Sequence, residues 1–218
     1  MLYLASNSPR RRELLSLTGL QFERLSPSID ETPQPGEAPE GYVLRLAREK
    51  AQAAVELAPA PGLILAADTS VALEDQILGK PADAAQAREM LRALRGRTHQ
   101  VYTALALLRM EDDLLWAEVC VSQVQMRAYS EDEMEAYIAS GDPFDKAGAY
   151  AIQHRDFHPV EHFNTCYANV MGLPLCHLVR ALRVFEIQPA VEVPQGCQAA
   201  LDYACPVYAS ILGVQYPE

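Results

Sequence analysis

Three consecutive arginines near the start of the chain are the most chemically distinctive feature of the sequence. Arg10, Arg11 and Arg12 follow Ser8 and Pro9, which fit the N-cap and the first position of a helix. The free N–H groups and the dipole at a helix N-terminus attract anions and disfavour cations. Arginines there make sense when a polyanion binds, since guanidinium groups pair with phosphate oxygens in a bidentate geometry. The pattern predicts a phosphate-binding turn, and a solvated basic helix end is the alternative.

A carboxylate follows an apolar segment further along the chain. Residues 63–67 are predicted to form a buried strand, and Asp68 comes directly after them, where the strand is expected to end. Ligands collect at the carboxyl ends of strands in open α/β sheets, and a carboxylate in such surroundings is costly unless it holds a metal or acts as a base. Asp68 is therefore a candidate for metal binding or general base catalysis. The alternative is a turn-capping residue that bonds to Thr69 or Ser70.

Three lysines could supply further positive charge for the same polyanion. Lys50 interrupts the apolar face of a predicted helix, Lys80 precedes a proline in a stiff extended connection, and Lys146 lies in a predicted loop. Each of them alone has a plain alternative, which is a lysine at the edge of a helix or on the surface. Together they could neutralise a triphosphate. Hard oxygen ligands for Mg²⁺ are available from Asp30, Glu31 and Asp68.

Alternating strand and helix patterns must position these residues. The sequence predicts a strand before the arginine turn, helices near residues 8–18, 40–57 and 83–95, and long strands near 100–108 and 114–127. Ser130 and Glu133 form a capping box ahead of another helix, and Pro174 opens the last clear one. This mixture indicates an α/β fold with a mixed sheet.

The bulk composition limits the classes of function. The 218 residues are 50% hydrophobic, which is enough for one domain or for one domain with two lobes. The net charge of −11 argues against a broad nucleic-acid-binding surface. No run approaches the roughly 20 apolar residues of a membrane span, and the short apolar start lacks the preceding charges of a signal peptide. We expect a cytoplasmic protein that binds neither nucleic acid nor membrane.

Motifs spread over residues 1–183 together resemble the Maf-type nucleoside triphosphate pyrophosphatases. Any single motif is weak, whereas the ordered set is specific. The motifs are LASNSPRR from Leu4, the pair Asp30-Glu31, RLAREKA from Arg45, ADT from Ala67, GKP from Gly79, HQVYT from His99, DKAGAY from Asp145, IQ from Ile152 and GLPL from Gly172.

This resemblance implies a two-lobed α/β fold of the inosine-triphosphatase-like kind with a central cleft, in a family where dimers are common. It implies hydrolysis of a nucleoside triphosphate to the monophosphate and pyrophosphate, with Mg²⁺ or Mn²⁺ as the cofactor. Asp68 matches the family's catalytic proton acceptor, and Glu31 is expected to share the metal with it. The residues expected to bind substrate are Ser8, Arg10, Arg11, Lys50, Thr69, Lys80, Lys146 and Gln153.

The same resemblance bears on the base of the nucleotide. Arg11, Thr69 and Gln153 match the positions that mark the branch preferring dTTP and UTP. A primary amide such as Gln153 can donate and accept at once, which suits the acceptor-donor-acceptor edge of uracil or thymine. The sequence leaves open whether Arg11 contacts the base or a phosphate. It departs from the family at residues 154–158 and at Cys166, both near the expected base pocket.

Residues 184–218 have no counterpart in the resemblance. We therefore expect a nucleotide-binding domain over residues 1–183 and an extension of unknown role after it. Because the family is also associated with arrest of septum formation, the competing function is a non-catalytic nucleotide-binding regulator of cell division.

Overall fold

A computed structural model describes residues 1–213, and within them a seven-stranded sheet forms the centre of the molecule. Its strands are β1 (Leu2–Ala5), β2 (Phe22–Leu25), β3 (Leu63–Leu73), β4 (Gln76–Leu78), β5 (Thr98–Arg109), β6 (Leu114–Met126) and β7 (Val160–His162). The strand order is β2-β1-β3-β5-β6-β7, with β4 paired to the end of β3. β1 runs parallel to β2 and β3, and the other pairs are antiparallel. The predicted α/β fold with a mixed sheet is confirmed.

Local sequence signals account for where several helices begin. The side chain of Ser8 accepts the backbone N–H of Arg11 at 3.4 Å, and a proline opens that helix. Ser130 and Glu133 form both hydrogen bonds of the capping box. The helices are α1 (Pro9–Ser16), α2 (Pro39–Ala53), α3 (Ala84–Leu94), α4 (Glu131–Ala139), α5 (Tyr167–Val170), α6 (Leu175–Val184), α7 (Val193–Leu201) and α8 (Tyr208–Leu212).

Three apolar clusters divide the protein into two lobes. In the first lobe, α2 covers one face of the sheet, and α1 and α6 cover the other. In the second lobe, α3 and α4 pack on the far halves of β3, β5 and β6. These strands are 11, 12 and 13 residues long, so they continue from one lobe into the other. The two-lobed arrangement expected from the sequence is confirmed.

β3 continues through Asp68 rather than ending before it, so the strand end predicted from the sequence is wrong. β5 pairs with β3 from Leu63 to Ala72 without interruption. On the opposite edge, β1 pairs with β3 only as far as Ala66, and β4 begins to pair at Val71. Within residues 1–213, the part of β3 from 67 to 70 therefore has no strand partner on this edge, which we call the open edge of β3. It lies beside the point where β1 leads into α1. β3 itself does not end at Asp68, but its neighbour β1 ends close to it.

The segment that follows α6 packs on the first lobe. Val193 of α7 is buried in the same apolar cluster as α6. The hydroxyl of Tyr203 lies 3.0 Å from the carbonyl oxygen of Thr165, and Arg180 donates to the carbonyl oxygen of Ile211 at 3.3 Å. The last five residues of the predicted extension, 214–218, lie outside the described residues. Among the helices of residues 1–213, none is long and apolar enough to span a membrane.

Candidate active site

A cleft of about 430 Å³ opens between the two lobes, next to the open edge of β3. The β1–α1 turn, α2, β3 and the segment 145–153 supply its walls. Asp68 is 6% exposed and does not line the cleft itself, but it contacts Lys50, which lines the cleft. The other nine residues predicted to form the site all line the cleft: Ser8, Arg10, Arg11, Glu31, Lys50, Thr69, Lys80, Lys146 and Gln153.

Lys50 joins the two carboxylates predicted to bind metal. Its Nζ lies 2.6 Å from Oδ1 of Asp68 and 2.6 Å from Oε1 of Glu31. The Lys50 side chain is only 13% exposed, so it is neither a surface lysine nor a snorkelling one. The helix α2 therefore delivers a charge to the cleft through its otherwise apolar face.

The two carboxylates differ in acidity because their surroundings differ. Burial raises the pKa of Asp68, and the positive charges of Lys50 and Arg11 oppose this shift without cancelling it. Burial also raises the pKa of Glu31, but the hydrogen bond and charge of Lys50 outweigh it, and the pKa ends below its usual value. Asp68 is therefore the more basic of the two and the better proton acceptor.

Asp68 and Thr69 lie on opposite faces of β3 because successive side chains of a strand alternate. Asp68 follows the parity of Ile64 and Ala66, which pack beneath α2. Thr69 has the parity of Leu65, on the side covered by α1 and α6. The open strand edge lets both faces contribute to one site, since Lys50 and Thr69 line the same cleft.

The guanidinium of Arg11 is held by three groups of the protein. Nε donates to the carbonyl oxygen of Gly172 at 2.9 Å, and the two terminal nitrogens donate to Ser6 Oγ at 3.3 Å and Thr69 Oγ1 at 3.0 Å. A guanidinium has five N–H groups, so two remain for a ligand. Gly172 has φ of +102°, and a Cβ there would lie 3.2 Å from Thr69 Oγ1. Only glycine lets this carbonyl approach Arg11 so closely.

A chain of buried polar groups extends from Thr69 away from the cleft. Its hydroxyl lies 3.0 Å from Thr103 Oγ1, and Thr103 donates to the carbonyl oxygen of Asn169 at 2.9 Å. The Asn169 amide donates to Val101 O and Ser122 Oγ, both at 3.0 Å. Thr103 and Asn169 are fully buried. Neither residue was predicted from the sequence to belong to the site, although Thr103 ends the HQVYT motif.

Lys146 is bound mainly by its own loop. Its Nζ donates to the backbone oxygen and Oδ1 of Asp142 at 2.6 and 2.9 Å, and to Oδ1 of Asp145 at 2.6 Å. All three ammonium hydrogens of Lys146 therefore have acceptors within the protein itself. Asp145 also lies 3.3 Å from Arg10 across the cleft. The loop contact of Lys146 stabilises this wall, and a direct phosphate contact by Lys146 stays a prediction.

Two predicted residues line the cleft with exposed polar side chains. Lys80 and Gln153 are exposed, and neither makes a hydrogen bond or ion pair with another of the described residues. Other residues that line the cleft are apolar, and we call them its apolar wall: Val71, Val101, Ala147, Val170 and Met171. The cleft thus combines charged side chains, apolar side chains and the amide of Gln153.

The carboxylates of Glu31 and Asp68 fit a divalent cation of the kind that the Maf resemblance implies. Both oxygens already contact one ammonium group, so they lie within reach of a single cation. Residues 1–213 contain no group of three or more acidic, histidine or cysteine side chains that could hold a metal ion. Mg²⁺ is commonly held by one or two carboxylates together with substrate phosphates. The donor set fits a metal that binds with a polyphosphate.

Five cationic side chains around paired carboxylates, between two lobes of an α/β sheet, define a protein that binds an anionic ligand in its cleft. The family model described as "Maf-like protein" matches residues 1–185, and the chain belongs to this family.

Curated relatives are similar over most of their length. The dTTP/UTP pyrophosphatase of Methylococcus capsulatus is 50% identical over 182 residues, covering 84% of this chain and 89% of that protein. The dTTP/UTP pyrophosphatase of Chromobacterium violaceum is 48% identical over 191 residues, covering 86% and 96%. Among solved structures, the Staphylococcus aureus Ham1 protein is 12% identical with a TM-score of 0.42, covering 92% of this chain and 97% of that one.

Proposed function

We propose that this protein hydrolyses dTTP and UTP to the nucleoside monophosphates and pyrophosphate. The observation that carries the proposal is the ion-paired group of Lys50, Glu31 and Asp68 at an interlobe cleft that is otherwise lined by arginine and lysine. The names of the relatives from Methylococcus capsulatus and Chromobacterium violaceum supply the substrates.

The phosphates bind at the cationic end of the cleft. Arg10 exchanges its exposed partner Asp145 for phosphate oxygens, since this ion pair is long and exposed and contributes little stability. Lys80 makes no hydrogen bond or ion pair with another residue of 1–213 that a phosphate would have to replace. Lys50 lies closest to the carboxylates, so it neutralises the phosphate that reacts. The free N–H groups of α1 add to the attraction for the anion.

Asp68 accepts the proton from the attacking water. The bond between the water oxygen and the α-phosphorus forms while the bond from that phosphorus to the bridging oxygen breaks, and pyrophosphate leaves. The raised pKa of Asp68 suits this role, because a general base works best when its pKa approaches the working pH. A divalent cation, Mg²⁺ or Mn²⁺, held by Glu31, Asp68 and phosphate oxygens would neutralise charge on the reacting phosphates.

The base lies against the apolar wall of the cleft. Gln153 makes no hydrogen bond with another residue of 1–213, so its amide can donate to a carbonyl oxygen of uracil or thymine. One remaining N–H group of Arg11 is on the nitrogen that donates to Thr69, and the other is on the nitrogen that donates to Ser6. We propose that the N–H group beside Thr69 contacts the base.

We also propose that the protein acts in the cytoplasm as a homodimer. Within residues 1–213, β6 has a strand partner on its outer edge only at Gln125 and Met126, and Val121 on this strand is 47% exposed. A second copy could cover this edge. Light scattering after size-exclusion chromatography tests the dimer by giving the mass in solution directly.

A nucleotide panel tests the proposed activity. The purified protein is incubated with dTTP, UTP, CTP or GTP and Mg²⁺, and pyrophosphate and orthophosphate are measured separately. We expect pyrophosphate, released fastest from dTTP and UTP. Tight binding without turnover would instead support a nucleotide-binding regulator, and orthophosphate would indicate a nucleotide phosphatase.

A further inference from the structure

Thr69 is the last member of a hydrogen-bond chain that begins at the buried carbonyl oxygen of Asn169. That carbonyl determines which hydroxyl donates in each bond of the chain. The carbonyl oxygen of Asn169 can only accept, so the hydroxyl 2.9 Å away on Thr103 must donate to it. Thr103 has a single proton and has now used it. The 3.0 Å contact between Thr103 and Thr69 therefore requires Thr69 to donate. The reverse direction would leave two buried oxygen atoms facing each other without a hydrogen, which is costly.

Counting the proton and the lone pairs of the Thr69 hydroxyl also shows which hydrogen bond Thr69 can form with a ligand. Its only proton goes to Thr103, and one of its lone pairs accepts from Arg11 at 3.0 Å. One lone pair remains. Arg11, beside it, offers only N–H groups. A ligand in this corner of the cleft therefore meets one acceptor next to donors.

We infer that Thr103 and Asn169 are positioning residues for base selectivity: they make Thr69 a pure acceptor, which recognises the imide N–H of uracil or thymine. The inference rests on the proposed pyrimidine substrate. Uracil and thymine present a donor flanked by carbonyl oxygens, which matches Thr69 beside Arg11. Cytosine presents an unprotonated ring nitrogen at the same place, so its lone pair would face the lone pair of Thr69.

The sheet places an apolar surface beside this acceptor. Thr69 pairs across the strands with Thr103, and Val71 pairs with Val101 two residues further along. Both valines line the cleft. Residues two apart on a strand share a face and are separated by about 6.5 Å. Val71 and Val101 are only 3% and 1% exposed, so they give a pyrimidine ring beside Thr69 an apolar surrounding rather than a broad surface to pack on.

Thr103→Val tests the inference, with Thr103→Ser as the matched control. Valine keeps the branched shape but removes the acceptor, so the Thr69 proton becomes free to meet cytosine. Serine keeps the hydroxyl. The measured quantity is the ratio of Kd values for the α,β-methylene analogues of CTP and UTP, obtained by calorimetry. This ratio needs no turnover, and a general loss of packing would weaken both ligands equally.

We expect the wild-type protein and Thr103→Ser to prefer the UTP analogue, and Thr103→Val to lose preference on the order of tenfold, the value of one mismatched hydrogen bond. An unchanged ratio in Thr103→Val, an equal loss in Thr103→Ser, or a wild-type protein indifferent to the base would overturn the inference. Failure of the proposed hydrolysis is separate, because it would appear as absent pyrophosphate release while the binding ratios still respond.

Discussion

The Nζ of Lys50 lies 2.6 Å from Oδ1 of Asp68, with the two side chains only 13% and 9% exposed. The charge of Lys50 opposes the rise in the pKa of Asp68 that burial causes, but it does not cancel that rise. Nζ of Lys50 also lies 2.6 Å from Oε1 of Glu31, so one ammonium group links the two carboxylates.

This pair predicts the pH dependence of the reaction. A general base works when deprotonated, so kcat/KM should fall as the pH drops through the raised pKa of Asp68. Lys50→Met removes a charge that lowers this pKa, so the acid limb should move to higher pH. Lys50→Arg keeps the charge and should leave the limb in place. Profiles of kcat/KM for UTP measure both, and a limb that stays still or moves to lower pH in Lys50→Met would contradict the assignment.

Arg11→Lys should damage the site although it conserves charge. A lysine cannot satisfy Ser6, Thr69 and Gly172 from one planar group and still present two N–H groups to a ligand. We expect kcat/KM for dTTP and UTP to fall by roughly 10- to 100-fold, the worth of one or more hydrogen bonds to a charged group. Arg12→Lys, at an exposed arginine that does not line the cleft, is the control. Equal losses in the two variants would rule out a special role for Arg11.

Lys146→Met should lower stability. The variant leaves the oxygens of Asp142 and Asp145 without their shared donor. Both carboxylates are partly exposed and can be hydrated, so we expect a loss of about 1–3 kcal/mol in the free energy of unfolding. Urea denaturation of the ligand-free protein measures it. Wild-type stability combined with a large rise in KM would show instead that Lys146 acts on the substrate.

Val193→Ala tests whether the segment after α6 belongs to the folded unit. Val193 is 2% exposed within the main apolar cluster, and truncation should cost about 1–3 kcal/mol through lost burial and a cavity. Val184→Ala, at a valine that is 50% exposed, should change stability little. Thermal unfolding compares the two. Identical melting temperatures for both variants would mean that α7 does not contribute to the core.

Local signals in the sequence were sufficient for much of the fold. Ser8, Pro9 and the Ser130 capping box fixed where helices begin, because capping involves residues only a few positions apart. Asp68 shows the limit of such signals. A polar residue after an apolar run suggests a strand end, yet β5 pairs beyond it, and pairing between distant strands leaves no local mark.

The site was predictable as a set of residues but not as a set of contacts. Spacing and family motifs gathered Arg11, Lys50 and Asp68, and the structure brings them together. Neither the bond between Lys50 and Asp68 nor the role of Asn169 could be read from the chain. Asn169 lies 66 residues from Thr103 and looks like part of an ordinary helix. Its importance comes from a buried carbonyl that only tertiary folding brings to Thr103.

Asp68→Asn tests the central proposal most directly. The amide keeps the shape of the carboxylate and an oxygen that can contact a cation, but it cannot take a proton, so Kd for the α,β-methylene analogue of UTP should change far less than kcat. The kcat for pyrophosphate release from UTP should fall on the order of 100-fold or more. Asp75→Asn, at an exposed aspartate beyond the end of β3, is the control and should be fully active. An Asp68→Asn protein with wild-type kcat would contradict the assignment of Asp68 as the proton acceptor.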